Sequence, residues 1–450
     1  RSHLHRSTGT TILTAQGETT AAAAYRVPVK TLKGTDGKKL AFGPFKPIER
    51  TRDGGLTAGQ QAHLEALIAA YTAKYPKAKA FTAGHRDVFA DPSAVAGFNL
   101  LWKDMVFPAV TDRSEGAYLW DTDGNRWIDV VHGFGLGFFG HRPKFVTDAL
   151  HAQIDLGFEI GPTSPLAGEV AHLIREFSGQ ERVAFCNTGS EALMAAIRTS
   201  RTISGRNIIA MFAGGYHGIF DEVLARPLVT NGELRSIPIA PGIPDIAQAS
   251  ILVLEYDNPE SLEILQRYGH DIACVLVEPV MSRRPDVVPI DFVQKLRAIT
   301  RETGTALVFD EVVLGFRTGP GGAQAHFGIQ ADLVAYGKII GGGMPLGVIC
   351  GQRKYMDALD GGAWQYGDDS MPEVGVTFFA GTFIRHPLTL AAARAVLLKL
   401  KEIGPTLQQA VELKTRDFVD RLNALFESTG VPLKSTRFSS MWMLNADHGL

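Results

Sequence analysis

Five short apolar runs, at residues 207–212, 251–254, 273–277, 306–309 and 333–336, alternate with stretches of helical pattern such as 259–268 and 291–303. This alternation constrains the fold more than any other feature of the chain. Mostly apolar runs of this length suit strands covered on both faces, and the intervening helices supply the crossovers that parallel strands need. The expected fold is α/β, with a mostly parallel sheet and helices on both faces of a large domain, plus a smaller α+β domain. Ligands of such a sheet bind beyond the carboxyl ends of its strands.

The other segments set the expected boundaries. Residues 1–55 have the Thr-, Ala- and Gly-rich composition of a linker or N-terminal extension, in which Arg26-Val27-Pro28-Val29 could form a short strand. Residues 56–114 hold a helix and the lead-in of the small domain. Thr57 and Gln60 have capping-box spacing, and Leu64, Leu67, Ile68 and Tyr71 form a stripe expected to pack on the main body before Pro76 ends the helix. A docking helix for a neighbouring domain is the alternative. The large domain is placed at 115–386. Residues 387–450 form the rest of the small domain, which looks incomplete at its end.

Two side chains suggest chemistry at the strand ends. Asp310 closes the apolar run at 306–309, and Lys338 follows the run at 333–336 and precedes Gly341-Gly342-Gly343. A lysine can hold an aldehyde as a Schiff base, and a buried carboxylate can keep a pyridine nitrogen protonated, a pairing suited to pyridoxal phosphate. Upstream, Asn187-Thr188-Gly189-Ser190-Glu191-Ala192 links an apolar run to a helical stretch. A tight turn into a helix start aims unpaired N–H groups and a positive dipole end at one point, a ready phosphate site. An ordinary N-cap by Thr188 or Ser190 would explain the turn alone. The order of turn, Asp310 and Lys338 favours the phosphate reading.

Together with Tyr216-His217-Gly218, Val277-Glu278-Pro279 and Asp310-Glu311-Val312, these motifs resemble the class III aminotransferases, pyridoxal-phosphate enzymes of fold type I that include glutamate-1-semialdehyde aminomutase. The resemblance runs from about residue 96 to the end and includes the turn Leu119-Trp120-Asp121-Thr122-Asp123-Gly124-Asn125. It implies that Lys338 carries the cofactor and shuttles a proton, and that Asp310 pairs with the ring nitrogen. Thr188, Gly189 and Ser190 would hold the phosphate, Tyr216 would stack on the ring, Val312 would pack on one ring face, and Glu278 would lie near the cofactor, with a strand-end carboxylate paired to an arginine as its equal alternative. His217 is grouped with the cofactor-binding residues, although it has no assigned chemistry and a hydrogen-bonded structural role accounts for it better. In Gly381-Thr382-Phe383 the family places a phosphate-binding threonine that reaches in from the partner subunit, which implies a homodimer. Met281 departs from the pattern, standing where many members carry a glutamine that hydrogen-bonds the cofactor's phenolic oxygen.

A narrower resemblance is to aminotransferase domains embedded in polyketide and nonribosomal peptide synthases. It rests on Phe42-Gly43-Pro44-Phe45-Lys46-Pro47-Ile48, on Leu56-Thr57 with Gln60-Gln61 and His63-Leu64, on Phe139-Gly140-His141, and on Ser282-Arg283-Arg284-Pro285. The expected reaction is a ping-pong transamination in which the cofactor cycles through pyridoxamine phosphate. An amino acid is the donor, and a keto or aldehyde carbon, such as that of a β-ketoacyl chain on an acyl carrier protein, is the acceptor. Arg283 and Arg284 are candidates for a donor carboxylate or the phosphate of a carrier arm, with ordinary surface arginines as the alternative. An aminomutase moving an amino group within one substrate is the nearest rival, and a non-catalytic docking module within a synthase is another.

Composition narrows the remaining classes. A net charge of −2 with no basic run argues against nucleic acid, and no stretch of ~18 uncharged apolar residues supports a membrane span. Cys186, Cys274 and Cys350 lie in apolar runs and read as small buried hydrophobes, which fits a reducing cytoplasm. No Cys/His cluster has ligand spacing, so no catalytic metal is expected. Gly133, Gly135 and Gly137 do not make a dinucleotide fingerprint. The chain opens Arg1-Ser2-His3 and looks like a piece of a longer protein.

Overall fold

The computed structural model describes residues 24–34, 55–95 and 97–445. The lead-in motif at 42–48 lies outside them. At the centre is a seven-stranded sheet of β1 (Arg182–Cys186), β2 (Ile208–Phe212), β3 (Ile251–Leu254), β4 (Ile272–Val277), β5 (Ala306–Asp310), β6 (Leu333–Tyr336) and β7 (Gly347–Gly351). The spatial order is β1-β7-β6-β5-β4-β2-β3. Only β7 runs against its neighbours; the four other pairings are parallel. Every residue of β3, β4, β5, β6 and β7 is buried, which is why these strands read as continuous apolar runs rather than as alternating ones.

The same pairing puts the carboxyl ends of β1, β2, β4, β5 and β6 along one edge of the sheet. Asn187, the 213–218 loop, Glu278, Asp310 and Lys338 emerge there. The amino-terminal end of the antiparallel β7 meets them, with Gly347 opposite Cys186. A Cβ on Gly347 would overlap the Thr188 carbonyl, so glycine allows that close approach.

Helix α1 (Ala58–Lys74) begins with both halves of the expected capping box: Gln60 N–H donates to Thr57 Oγ1 at 3.3 Å and Thr57 N–H to Gln60 Oε1 at 2.9 Å. Its stripe is less covered than the spacing suggests. Leu64, Ile68 and Tyr71 are half-buried, Leu67 is 44% exposed, and no residue of the helix is fully buried. Tyr71 instead contacts Tyr75 and Phe107. The turn at 121–125 joins two strands of a small antiparallel sheet, and Asp121 caps it by accepting from Asn125 N–H at 2.7 Å. Val27 is buried in a two-residue strand paired with Glu233–Pro238. After residue 386 come helices Pro387–Ile403 and Thr406–Thr429 and the antiparallel pair Lys434–Phe438 and Met441–Asn445. All three cysteines are buried and free.

Candidate active site

The turn expected to hold phosphate starts α2 (Gly189–Ser204). Thr188, rather than Ser190, is the cap: its Oγ1 accepts from Glu191 N–H at 3.2 Å, while Glu191 reaches back to Asn187 N–H at 2.6 Å. A helix start leaves its first N–H groups without intrahelical partners, and Thr188 takes only that of Glu191. Gly189 and Ser190 therefore face the sheet edge with the dipole's positive end. Gly218 lies directly against Ser190; a Cβ there would collide with Ser190 Oγ and stand 2.8 Å from its Cβ. A Cβ on Gly189 would come within 2.7 Å of Val312 Cγ2, and one on Gly337 within 3.3 Å of Val312 Cγ1. Val312 is thus wedged between the Gly189 turn and the residue preceding Lys338.

Asp310 is buried at the end of β5, and neither carboxylate oxygen is idle. Oδ1 accepts from Val312 N–H at 3.1 Å, and Oδ2 lies 2.9 Å from His217 Nδ1. His217 is itself buried, and its Nε2 has no hydrogen-bond partner among the described residues. A histidine whose Nδ1 proton goes to a carboxylate is fixed in orientation, and it holds the carboxylate in turn. Glu278 is also buried. One oxygen accepts from Ser282 N–H at 2.8 Å, and the other has no partner among the described residues. Burial, and secondarily the nearby Asp310 charge, push its carboxyl up to about 7.

Lys338 begins a one-turn 3-10 helix, Lys338–Gly341, with φ at +36°, a left-handed value that a lysine rarely adopts. Such strain is held by surrounding structure and clusters at functional sites. Its amine titrates below the usual lysine range, because burial and the nearby Arg317 outweigh the opposing carboxylates of Asp310 and Glu278. A lysine lowered in this way spends more time as the free amine that can attack an aldehyde or take a proton.

Glu311 points away from this edge. It accepts from Ala323 N–H at 2.7 Å and Gln324 N–H at 3.2 Å at the start of helix Gly322–Phe327, and burial pushes its carboxyl up to about 8. The two arginines separate as well. Arg283 lies 5.8 Å over the ring of Tyr216, which is 47% exposed at the rim, whereas Arg284 pairs with Asp286 at 3.2 Å. Met281 is buried with its sulfur toward Gly214, and a thioether donates no hydrogen bond. Thr382 sits in an exposed turn whose Gly381 approaches the Asn187 side chain.

Sequence reasoning missed two contributors. Arg317 is buried and donates to Val313 O, to Ser440 Oγ and to Gly135 O, so it is held by neutral oxygens. Burial lowers it to about 10. No charge pattern around Gly315-Phe316-Arg317 signals this. The second is the His217–Asp310 contact, which joins residues 93 positions apart.

These features fit pyridoxal phosphate. His217 Nε2 and one Glu278 carboxylate oxygen are buried with no partner among the described residues and are available to a polar ligand, and glycines 218 and 347 let their segments close on Ser190 and Thr188. A family model described as aminotransferase class-III matches residues 101–437. Glutamate-1-semialdehyde 2,1-aminomutase of Desulfitobacterium hafniense is 34% identical over 345 residues, 76% of each chain. Among solved structures, an omega-transaminase from Sphaerobacter thermophilus superposes with a TM-score of 0.74 at 26% identity, covering 84% of this chain and 85% of that one. A β-phenylalanine aminotransferase from Variovorax paradoxus gives 0.71 at 30% identity, covering 86% and 83%.

Proposed function

The chain belongs to the class III aminotransferases, enzymes that use pyridoxal phosphate, and from that premise we propose that it transfers an amino group from an amino acid to a keto or aldehyde carbon of a biosynthetic intermediate. The observation that carries this reading is the meeting of the Gly189-Ser190 turn, the Asp310–His217 pair and Lys338 at one sheet edge. When bound, the cofactor supplies an electron sink for the carbon that gains or loses the amino group.

The residues around it divide the remaining work. The first-turn N–H groups of α2 and Ser190 would bind the phosphate, and Val312 would cover one ring face with Tyr216 on the other. Asp310, oriented by His217, would hold a proton on the ring nitrogen. The Lys338 amine would move the proton at the reacting carbon. Arg283, beside Tyr216 at the rim, suits the donor carboxylate or the phosphate of a carrier arm, and the acceptor we favour is a β-ketoacyl chain. Thr382 would complete the phosphate site of a second subunit in a homodimer.

A second reading, an aminomutase acting within one substrate, draws support from the aminomutase relatives, and Met281 in place of the usual glutamine fits it no worse. Absorption spectroscopy of the loaded enzyme separates the two. Glutamate or glutamine should deplete the visible band of lysine-bound cofactor, and a β-keto acid should restore it. If no donor depletes the band and turnover needs none, the aminomutase reading replaces ours.

A further inference from the structure

We propose that Asp129, His132 and His141 form a binding site for one divalent transition-metal ion of the zinc type, which clamps the two ends of the 129–141 segment together beside the turn after Lys338. One potential ligand atom from each residue lies within 4.8 Å of the others. Asp129 follows the strand Arg126–Ile128 and is already oriented. Its Oδ1 accepts from the N–H groups of Val131 at 3.0 Å and His132 at 2.8 Å, which leaves Oδ2 facing His141 Nε2 at 2.7 Å. The two imidazoles lie 4.8 Å apart, 20° from parallel.

Two further observations show that the segment is built rather than incidental. His132 Nδ1 is buried with no hydrogen-bond partner among the described residues. The backbone is held left-handed at His132 (φ +45°) and Phe134 (φ +58°), conformations that cost energy in non-glycine residues. His141 is pinned from the other side by paired backbone hydrogen bonds with Gly116, at 2.7 and 2.9 Å. Two imidazole nitrogens and one carboxylate oxygen are the donor set of three-ligand zinc sites, with a fourth position for water or a small anion. The ion would take the place of the proton shared by His141 and Asp129. All three side chains are half-buried, so solvent can deliver it.

The cluster adjoins a cavity of about 160 Å³ lined by His132, Gly137, His141, Ile339, Gly342 and Gly343. Ile339 lies in the one-turn helix that begins at Lys338, and Gly342 and Gly343 directly follow it, so an ion here would stiffen a wall beside the active site. The soft ligands that would compete, Cys186, Cys274 and Cys350, are sealed in the core. A search for cysteine–histidine spacing misses this set because a carboxylate takes the thiol's place.

The test is titration of the pyridoxal-phosphate-loaded enzyme, stripped of metal and of free cofactor, with Co²⁺ followed by its visible d–d absorption. One equivalent should bind and be displaced by Zn²⁺, and Zn²⁺ should raise the melting temperature. His132→Asn should weaken binding at least about tenfold, since loss of a ligand exceeds the 10–100-fold effect typical of outer-sphere partners. Asparagine tolerates the left-handed backbone, and circular dichroism with the cofactor band checks that the fold persists. His63→Ala, in exposed α1, should leave binding unchanged. Absence of a one-equivalent band, or a band undiminished in His132→Asn, overturns the proposal.

Discussion

Replacing Glu278 by glutamine should stabilise the apoprotein at pH 8 and leave it nearly unchanged at pH 4.5. In the folded chain the carboxyl is pushed from 4.5 to about 7, first by burial and then by Asp310. At about 1.4 kcal/mol for each tenfold change in proton affinity, ionising it in place costs about 3 kcal/mol. The sign follows from linkage. Below pH 4.5 both folded and unfolded chains carry the proton. Between pH 4.5 and 7 only the unfolded chain releases it, so stability falls as pH rises and the full penalty is present above about pH 7. Glutamine removes this dependence while keeping an oxygen for the Ser282 N–H, and its amide can donate toward Asp310, where the carboxylate repels. Urea midpoints of the two proteins, measured at pH 4.5 and 8 with m-values compared, give the difference directly. An equal effect at both pH values would refute the claim that Glu278 is buried as a carboxyl under charge stress.

Three other outcomes are expected. Lys338→Ala should abolish the visible band of lysine-bound cofactor and lower turnover by at least about a thousandfold, of the order seen when a nucleophile is removed, while pyridoxal phosphate still binds through the phosphate turn; dialysis and single-turnover rates would check it. Gly218→Ala drives a methyl into Ser190 and strains a backbone held at φ +109°, so it should weaken cofactor affinity about tenfold or more, measurable by fluorescence titration, and also cost about 1–3 kcal/mol of stability in urea unfolding. Asp332→Ala strands the buried Arg297, now held at 2.6 and 3.1 Å, and frees the Leu307 N–H; a loss of about 3–5 kcal/mol in chemical unfolding is expected, with thermal melting as a second readout.

The legible part of the protein was its local chemistry. Continuous apolar runs announced β3, β4, β5 and β6 because a strand covered on both faces needs no polar alternation. Thr57 with Gln60 announced the start of α1, and Asn187-Thr188-Gly189-Ser190 announced the start of α2, since a helix start declares itself by cap residues a few positions apart. The stripe on α1 was misleading. Period-3.6 spacing marks an apolar face without stating how much surface is available to cover it, and Leu67 remains exposed.

By itself, then, the sequence determined the α/β class, the order of strands and helices along the chain, and which residue types stand at the strand ends. All of these follow from patterns only a few residues long. Tertiary structure alone decided that His217 meets Asp310, that Arg283 rather than Arg284 faces Tyr216, that Arg317 lies buried near Lys338, and that Asp129, His132 and His141 converge. Each depends on which strand ends become neighbours and how the loops between them turn. That is fixed by the joint packing of the whole sheet and its helices, in which sequence separation carries no information about distance.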